Sequence, residues 1–179
     1  QVRKMFTEGK VTGQVRSVYA GYRQRETGAK DSYATAIGGM LKYELASLHG
    51  FNAGVAFTTS QDINFLTGDM GSGKHNDELS SPTGDYSALS EAYVNYKNGS
   101  FNFRAGRQMI DTPLADTDDS RMVPNTFEAY MLTYKINNFI LTAGNVQKWQ
   151  GAGAGLGFDG NGVQQESNWI ESGSKGTWM

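Results

Sequence analysis

Phosphate, nucleotide and metal chemistry each have a local imitation in this 179-residue sequence. Gly68 to His75 reads GDMGSGKH, in which Gly73-Lys74 follows the first glycine at the spacing of a phosphate-binding loop. His75 stands where Ser or Thr would hold magnesium, and the segment lies in a long polar stretch rather than between a buried strand and a helix. Gly151 to Gly157, GAGAGLG, lacks the third glycine of a dinucleotide fingerprint and leads into FDGNG, so it reads as a flexible loop. Asp111, Asp116, Asp118 and Asp119 offer the oxygen ligands calcium favours, yet Arg121 occupies the position where an EF-hand loop turns on glycine. His49 and His75 both fall in connections, which gives poor support to a serine-hydrolase triad or an imidazole metal site. No cysteine is present, which removes thiolate ligands, thiol nucleophiles and disulfides. The expectation is a protein that is not an enzyme and has no cofactor and no metal.

The 16 basic and 18 acidic residues are scattered along the chain, and the pI is near 5.7. Binding a phosphate backbone needs a basic excess, so nucleic acid is not expected as a partner. No apolar run approaches the roughly 18 residues of a spanning helix. That excludes a helical membrane protein but not a β-barrel, whose strands alternate lipid-facing and water-facing residues and so average to a polar composition. The length suits one domain rather than two. Starting at Gln1 with no signal sequence, the chain is expected to be a mature protein or a fragment.

The elements that must position these side chains have a period of two. From Tyr33 to Leu45, Tyr33, Thr35, Ile37, Leu41 and Tyr43 alternate with Ala34, Ala36, Gly38, Met40, Lys42 and Glu44. Phe51 to Thr59 repeats the pattern. Tyr86 to Lys97 sets Ala88, Ala92, Val94 and Tyr96 against Glu91, Tyr93, Asn95 and Lys97, and Phe101 to Gly106 sets Phe101, Phe103 and Ala105 against Asn102 and Arg104. Thr126 to Lys135 and Phe139 to Trp149 are further strands, and Lys10 to Tyr22 is the first, with Val11, Val15 and Tyr19 opposite Thr12, Gln14 and Arg16. About seven strands result, each near the ~10 residues of a tilted transmembrane strand.

Connection lengths alternate. Those around Ser47 to Gly50, Asn98 to Ser100 and Ile136 to Asn138 are tight hairpin turns. Those near 24–32, 60–85, 109–125 and 150–174 are long and polar. In an up-and-down meander this puts all short turns on one rim and all long loops on the other, the asymmetry of short periplasmic turns and long extracellular loops. A soluble sandwich has no reason to segregate its loops so. Tyr43 and Phe51, Tyr96 and Phe101, and Tyr134 and Phe139 bracket the short turns, where an interfacial aromatic girdle belongs. Each alone would read as an ordinary strand aromatic; recurrence at every turn favours the girdle. Closing a barrel takes about eight strands or more, so the chain is expected to be the N-terminal part, some seven or eight strands, of a larger all-β, antiparallel, up-and-down transmembrane barrel.

A family resemblance lies in the acid-rich segment. Gly106-Arg107-Gln108-Met109-Ile110-Asp111-Thr112-Pro113-Leu114, running into Asp118-Asp119-Ser120-Arg121-Met122-Val123-Pro124-Asn125-Thr126-Phe127-Glu128-Ala129, resembles the third-loop region of the OprD-like family of substrate-specific outer-membrane porins. FTEGKVTGQVR, Phe6 to Arg16, looks like the family's first strand, and DSYATAIGG, Asp31 to Gly39, is similar to its second. The resemblance reaches to about Trp149. It implies a barrel of roughly eighteen strands, in the outer membrane of a Gram-negative bacterium, that passively admits amino acids, small carboxylates and ions past a ladder of basic side chains. It also implies that the third loop, 109–125, folds inward as the constriction, with Asp111, Asp118, Asp119, Ser120 and Arg121 near it and Arg107 at its base. Outer-membrane lipid and lipopolysaccharide are the implied surroundings, and a homo-oligomer is compatible.

Strand parity independently puts Arg16, Lys42, Glu91, Lys97, Asn102 and Arg104 along a wet lumen, where opposite charges set a transverse field. Arg104 and Arg107 are candidates for an anion-attracting wall; equally, they could pair with Glu91 or Glu128 and only stabilise the sheet. Two other functions stay open at this point. One is a soluble β-sandwich acting as a binding or adhesion module. The other is an outer-membrane barrel hydrolase, which needs a Ser/His pair that the strands do not offer.

Overall fold

Alternating side chains and tight turns produce one continuous antiparallel sheet in the computed structural model, which describes residues 1–25, 28–69, 72, 74–76, 79, 85–120, 122–151, 169–173 and 175–179. A short helix α1 (Val2–Thr7) precedes β1 (Lys10–Tyr22), β2 (Ser32–Glu44), β3 (Phe51–Asp62), β4 (Tyr86–Asn98), β5 (Phe101–Gln108), β6 (Thr126–Ile136) and β7 (Phe139–Gln150). Each strand pairs with the next in sequence, so the sheet is an up-and-down meander. β8 (Ile170–Glu171) and β9 (Thr177–Trp178) both pair with β7, at Trp149-Lys148 and Val146-Asn145 respectively. They are two pieces of one edge strand, interrupted by an excursion through Gly173 and Gly176, whose φ angles are 86° and 74°.

The short turns close as their residues dictate. His49 and Gly50 take φ of 51° and 88°, while Leu48 and Phe51 exchange backbone hydrogen bonds of 2.8 and 3.0 Å. Two left-handed residues in a row give the twist that matches paired strands. At this rim the Phe51 and Tyr96 rings lie 4.5 Å apart and Tyr96 and Phe101 6.2 Å, so the aromatics that bracket successive turns form a row. α1 is an element that strand alternation does not reveal: Phe6 belongs to it rather than to β1. The helix docks at the first turn, where Tyr43 Oη donates 2.6 Å to the Phe6 carbonyl and the Ala46 N–H donates 2.9 Å to that of Met5.

Register assigns the faces. Arg16 lies opposite Gly38, Lys42 opposite Ala56, Ala56 opposite Glu91, and Asn95 opposite Arg104, so these positions share one face. The other face carries Val11, Val15, Tyr19, Ile37, Leu41, Val55, Phe57, Val94, Leu132 and Phe139, all exposed. Among the described residues there is a single sheet and no second one over this apolar face, unlike a sandwich. Soluble monomers rarely leave so large a patch bare. Among the described residues no helix is long and apolar enough to cross a membrane, which says nothing of strands.

Two bulges modify the simple alternation. Ala56 pairs with Glu91 and Phe57 with Leu89, leaving Ser90 as an extra residue in β4. Its buried hydroxyl accepts from Thr58 Oγ1 at 2.8 Å and donates to the Ala56 carbonyl at 3.2 Å. The inserted residue reverses parity, so Tyr86 and Ala88 lie on the polar face, whereas uninterrupted alternation grouped Ala88 with Val94. Gln147 is the second extra residue, between Val146 and Lys148 opposite Ala129 and Glu128.

The buried apolar clusters lie between the polar face and the long loops. Ala34 and Ala36 of β2 and Tyr86 and Ala88 of β4 pack with Leu79, Met122 and Val123. Phe127, Ala129, Met131 and Val146 pack with Ile110, with Ala115 against them. The 109–125 loop therefore contributes to both, lying across the polar face from β6 and β7 to β1 and β2.

Candidate functional site

The polar face is organised around Tyr93. Gly54 and Gly106 are its register partners, and the ring lies so close over Gly54 that a Cβ there would sit 2.6 Å from it. A side chain at 54 would displace the phenol. Tyr93 Oη donates to Glu44 Oε1 at 2.5 Å. The Arg104 guanidinium carbon stands 4.2 Å from the ring centroid and Lys42 Nζ 5.1 Å, so one aromatic plate is flanked by two cations attracted to its quadrupole. Lys42 also pairs with buried Glu91 at 2.6 Å and reaches Glu44 at 3.9 Å, while Arg104 Nε donates 3.3 Å to Asn95 Oδ1. Glu91 is thus taken by Lys42, and Arg104 keeps the amide and the ring as its contacts. Lys97, further toward the short turns, is exposed.

The 109–125 loop meets this face at Arg16. Its guanidinium holds Asp119 two-pronged, at 2.8 and 3.0 Å, joining residues 103 apart in sequence. Such bidentate, charge-assisted bonds fix orientation as well as distance. The remaining acids fold the loop on itself. Asp111 accepts from Thr117 Oγ1 at 2.5 Å, Asp116 Oδ1 from the Asp118 N–H at 3.0 Å, and Asp118 from Ser120 Oγ at 2.7 Å. Asp118 itself takes a left-handed φ of 42°. These carboxylates do not converge, and among the described residues no group of acids and histidines could hold a metal. Arg121 lies outside the described residues, as do most of the loop near 150–174 and the GAGAGLG stretch beyond Gly151. Under the loop, between Arg16, Met40, Thr58, Asp119 and Met122, the crevice is only about 40 Å³.

Arg107 is on the opposite side of the wall. Its register partners are Ala92 and Glu128, outward positions, and it pairs with Glu128 at 2.8 Å. It stands three positions after Arg104, and an odd offset on a strand reverses the face. The two arginines therefore do not form one wall. Residue counting could have separated them, and could have singled out Tyr93 and Glu44, which parity had already set beside Lys42 and Glu91. The histidines are structural: His75 Nε2 meets Asp62 Oδ2 at 2.9 Å, both side chains buried, while His49 sits in the first turn with Nε2 3.3 Å from Gln1 Oε1.

A meander with one face apolar and bare, the other charged and crossed by a long loop, is the wall of a transmembrane β-barrel with a polar interior. Residues 4–155 match the family described as outer membrane porin, OprD family, and the chain belongs to that family. Among solved structures, Pseudomonas aeruginosa OccK9 (OpdG) is 19% identical with a TM-score of 0.65, aligned over 82% of this chain and 39% of its own. Acinetobacter baumannii OccAB1 is 22% identical, TM-score 0.62, over 79% and 35%. Pseudomonas aeruginosa OpdK, in its structure with vanillate, is 18% identical, TM-score 0.63, over 80% and 37%. The chain thus spans between 35% and 39% of these three barrels, and at these identities the likeness is one of fold. No curated protein sequence matches.

Proposed function

We propose that this chain forms part of the wall and the constriction of a passive outer-membrane channel for small polar and anionic solutes, with no catalysis. The observation that carries the reading is the 109–125 loop lying across the charged face and tied to β1 through Arg16 and Asp119. The crevice behind the loop holds little more than a water or two, so solutes pass on its free side. Asp111, Asp118 and Ser120 shape that loop. Lys42 and Arg104, held against Tyr93, present positive charge to a passing carboxylate, and Glu44, Glu91 and Asp119 supply the opposing sign that makes the field transverse. The OpdK structure with vanillate supports a carboxylate as the solute class. Arg16 and Lys97 complete the inner charge set; Arg107 does not join it. Long loops face the cell exterior in this reading and the bare apolar face meets lipid.

The test is the conductance of the full-length protein, folded in detergent and placed in a planar bilayer. Discrete steps, reduced by small carboxylates on one side, are expected. Correctly folded protein that never conducts overturns the reading.

A further inference from the structure

We infer that α1 docks anionic phospholipid of the inner leaflet, Val2 and Phe6 entering the acyl boundary while Arg3 and Lys4 meet the charged headgroup. This rests on the reading that the sheet spans the outer membrane with its short turns at the periplasmic surface. No residue of α1 is buried, so the helix is not held by a core of its own. It is held by the rim. Tyr43, opposite Val11 and Val55 on the apolar face, lies over Gly9, where an added Cβ would stand 2.5 Å from the phenol oxygen. The same hydroxyl donates to the Phe6 carbonyl, the Ala46 N–H donates to that of Met5, and the Gln1 and His49 side chains meet at the first turn. The helix therefore lies at the short-turn rim, fastened at its end to an outward-facing ring.

Its side chains are sorted. Val2 and Phe6 are four residues apart and so share one side of the helix, and they are 63% and 57% exposed. In water that exposure gains nothing. At this rim it continues the exposed apolar surface of Val11, Leu41 and Phe51, at the level that the row of Phe51, Tyr96 and Phe101 marks as the interface.

Arg3 and Lys4 occupy other sides of α1 and are exposed. Neither they nor Glu8 take part in an ion pair among the described residues. The whole short-turn end is basic. With the turns and the last two residues of each adjoining strand, it carries Arg3, Lys4, Lys10, Lys97 and Lys135 against Glu8 and Glu44, in a chain whose net charge is -2. Glu44 is already engaged by Tyr93 and Lys42. Lys10, Lys97 and Lys135 share the inner parity of Thr12, Asn95 and Thr133, which leaves Arg3 and Lys4 as the cations of the helix beside the lipid-facing side. An acidic protein segment would answer the two cations but leave the apolar pair bare; a lipid with a negative headgroup answers both.

The experiment is native mass spectrometry of the full-length barrel in detergent, incubated with phosphatidylglycerol or with phosphatidylcholine of the same acyl chains. R3Q/K4Q is expected to lower the retention of phosphatidylglycerol relative to phosphatidylcholine by at least about fivefold, the scale of one basic residue at an anionic lipid surface. K97Q/K135Q, changed on the inner side of the same rim, is expected to leave that ratio as in wild type. V2S/F6S should weaken retention of both lipids and leave their ratio unchanged. Heat-modifiable migration on gels establishes that each variant is folded. An unchanged ratio in R3Q/K4Q, or unchanged retention in V2S/F6S, overturns the proposal, as does cross-linking from residue 6 that captures a second copy of the chain in place of lipid. Conductance of the wild-type preparation is recorded separately, so a failed channel and a failed lipid site give different results.

Discussion

Arg104 and Arg107 stand three residues apart on β5 and live in different solvents. Arg104 lies over Tyr93 on the inner face, beside Lys42, where acids and bases interleave. Arg107 lies on the outer face, paired with Glu128, stacked on the Trp169 ring and donating to the Leu89 carbonyl. The same side chain is therefore expected to set selectivity in one place and stability in the other. Strand parity, not residue type, makes the difference.

The most drastic way to break this contrast is to delete Ser90. Losing the bulge slips one half of β4 by a residue and exchanges its faces; loss of the folded, heat-modifiable species on gels is expected. Next comes Glu128→Ala, which removes the ion-pair partner of Arg107 on the outward face near the long-loop rim, at a cost of up to about 1 kcal/mol, read as a lower midpoint in denaturant unfolding. Its conductance per folded channel should match wild type. Arg104→Gln should do the reverse, leaving the midpoint in place while lowering anion over cation permeability. A unit charge at ~4 Å in water is worth about 1 kcal/mol, hence roughly a fivefold change in the ratio, measured from reversal potentials. The smallest effect on stability belongs to Asp119→Asn, below about 1 kcal/mol because Asp119 is half exposed. Its signature is electrical: with the loop untied from Arg16, conductance should rise and become noisier.

Much of this was legible in residue order. Alternation located all seven long strands, and turn chemistry at His49-Gly50, Asn98-Gly99 and Asn137-Asn138 ordered them as a meander. Lys42, Glu91 and Arg104 could be assigned to one face by parity alone. What escaped was whatever parity cannot encode. Ser90 looks like any small polar strand residue, yet as an insertion it moves Ala88 to the other face. α1 is too short to show a helical period, and Phe6 reads equally well as a strand residue. The Arg16–Asp119 tie joins residues brought together only when the loop folds back, and no local pattern announces such a contact. Arg107 is the one case where the information was present: an odd offset from Arg104 already places it across the sheet.

The glycine beneath Tyr93 has an electrical consequence. A phenol resting on bare backbone at Gly54, tethered through its hydroxyl to Glu44 and bordered by Lys42 and Arg104, has little freedom to change rotamer. In a conducting barrel, an aromatic ring that swings in and out of the lumen would modulate the current at its own hopping rate. A ring buried and held in this way contributes no such fluctuation, so the open-channel current at this level is expected to be quiet, and a methyl group added at residue 54 should be audible as noise.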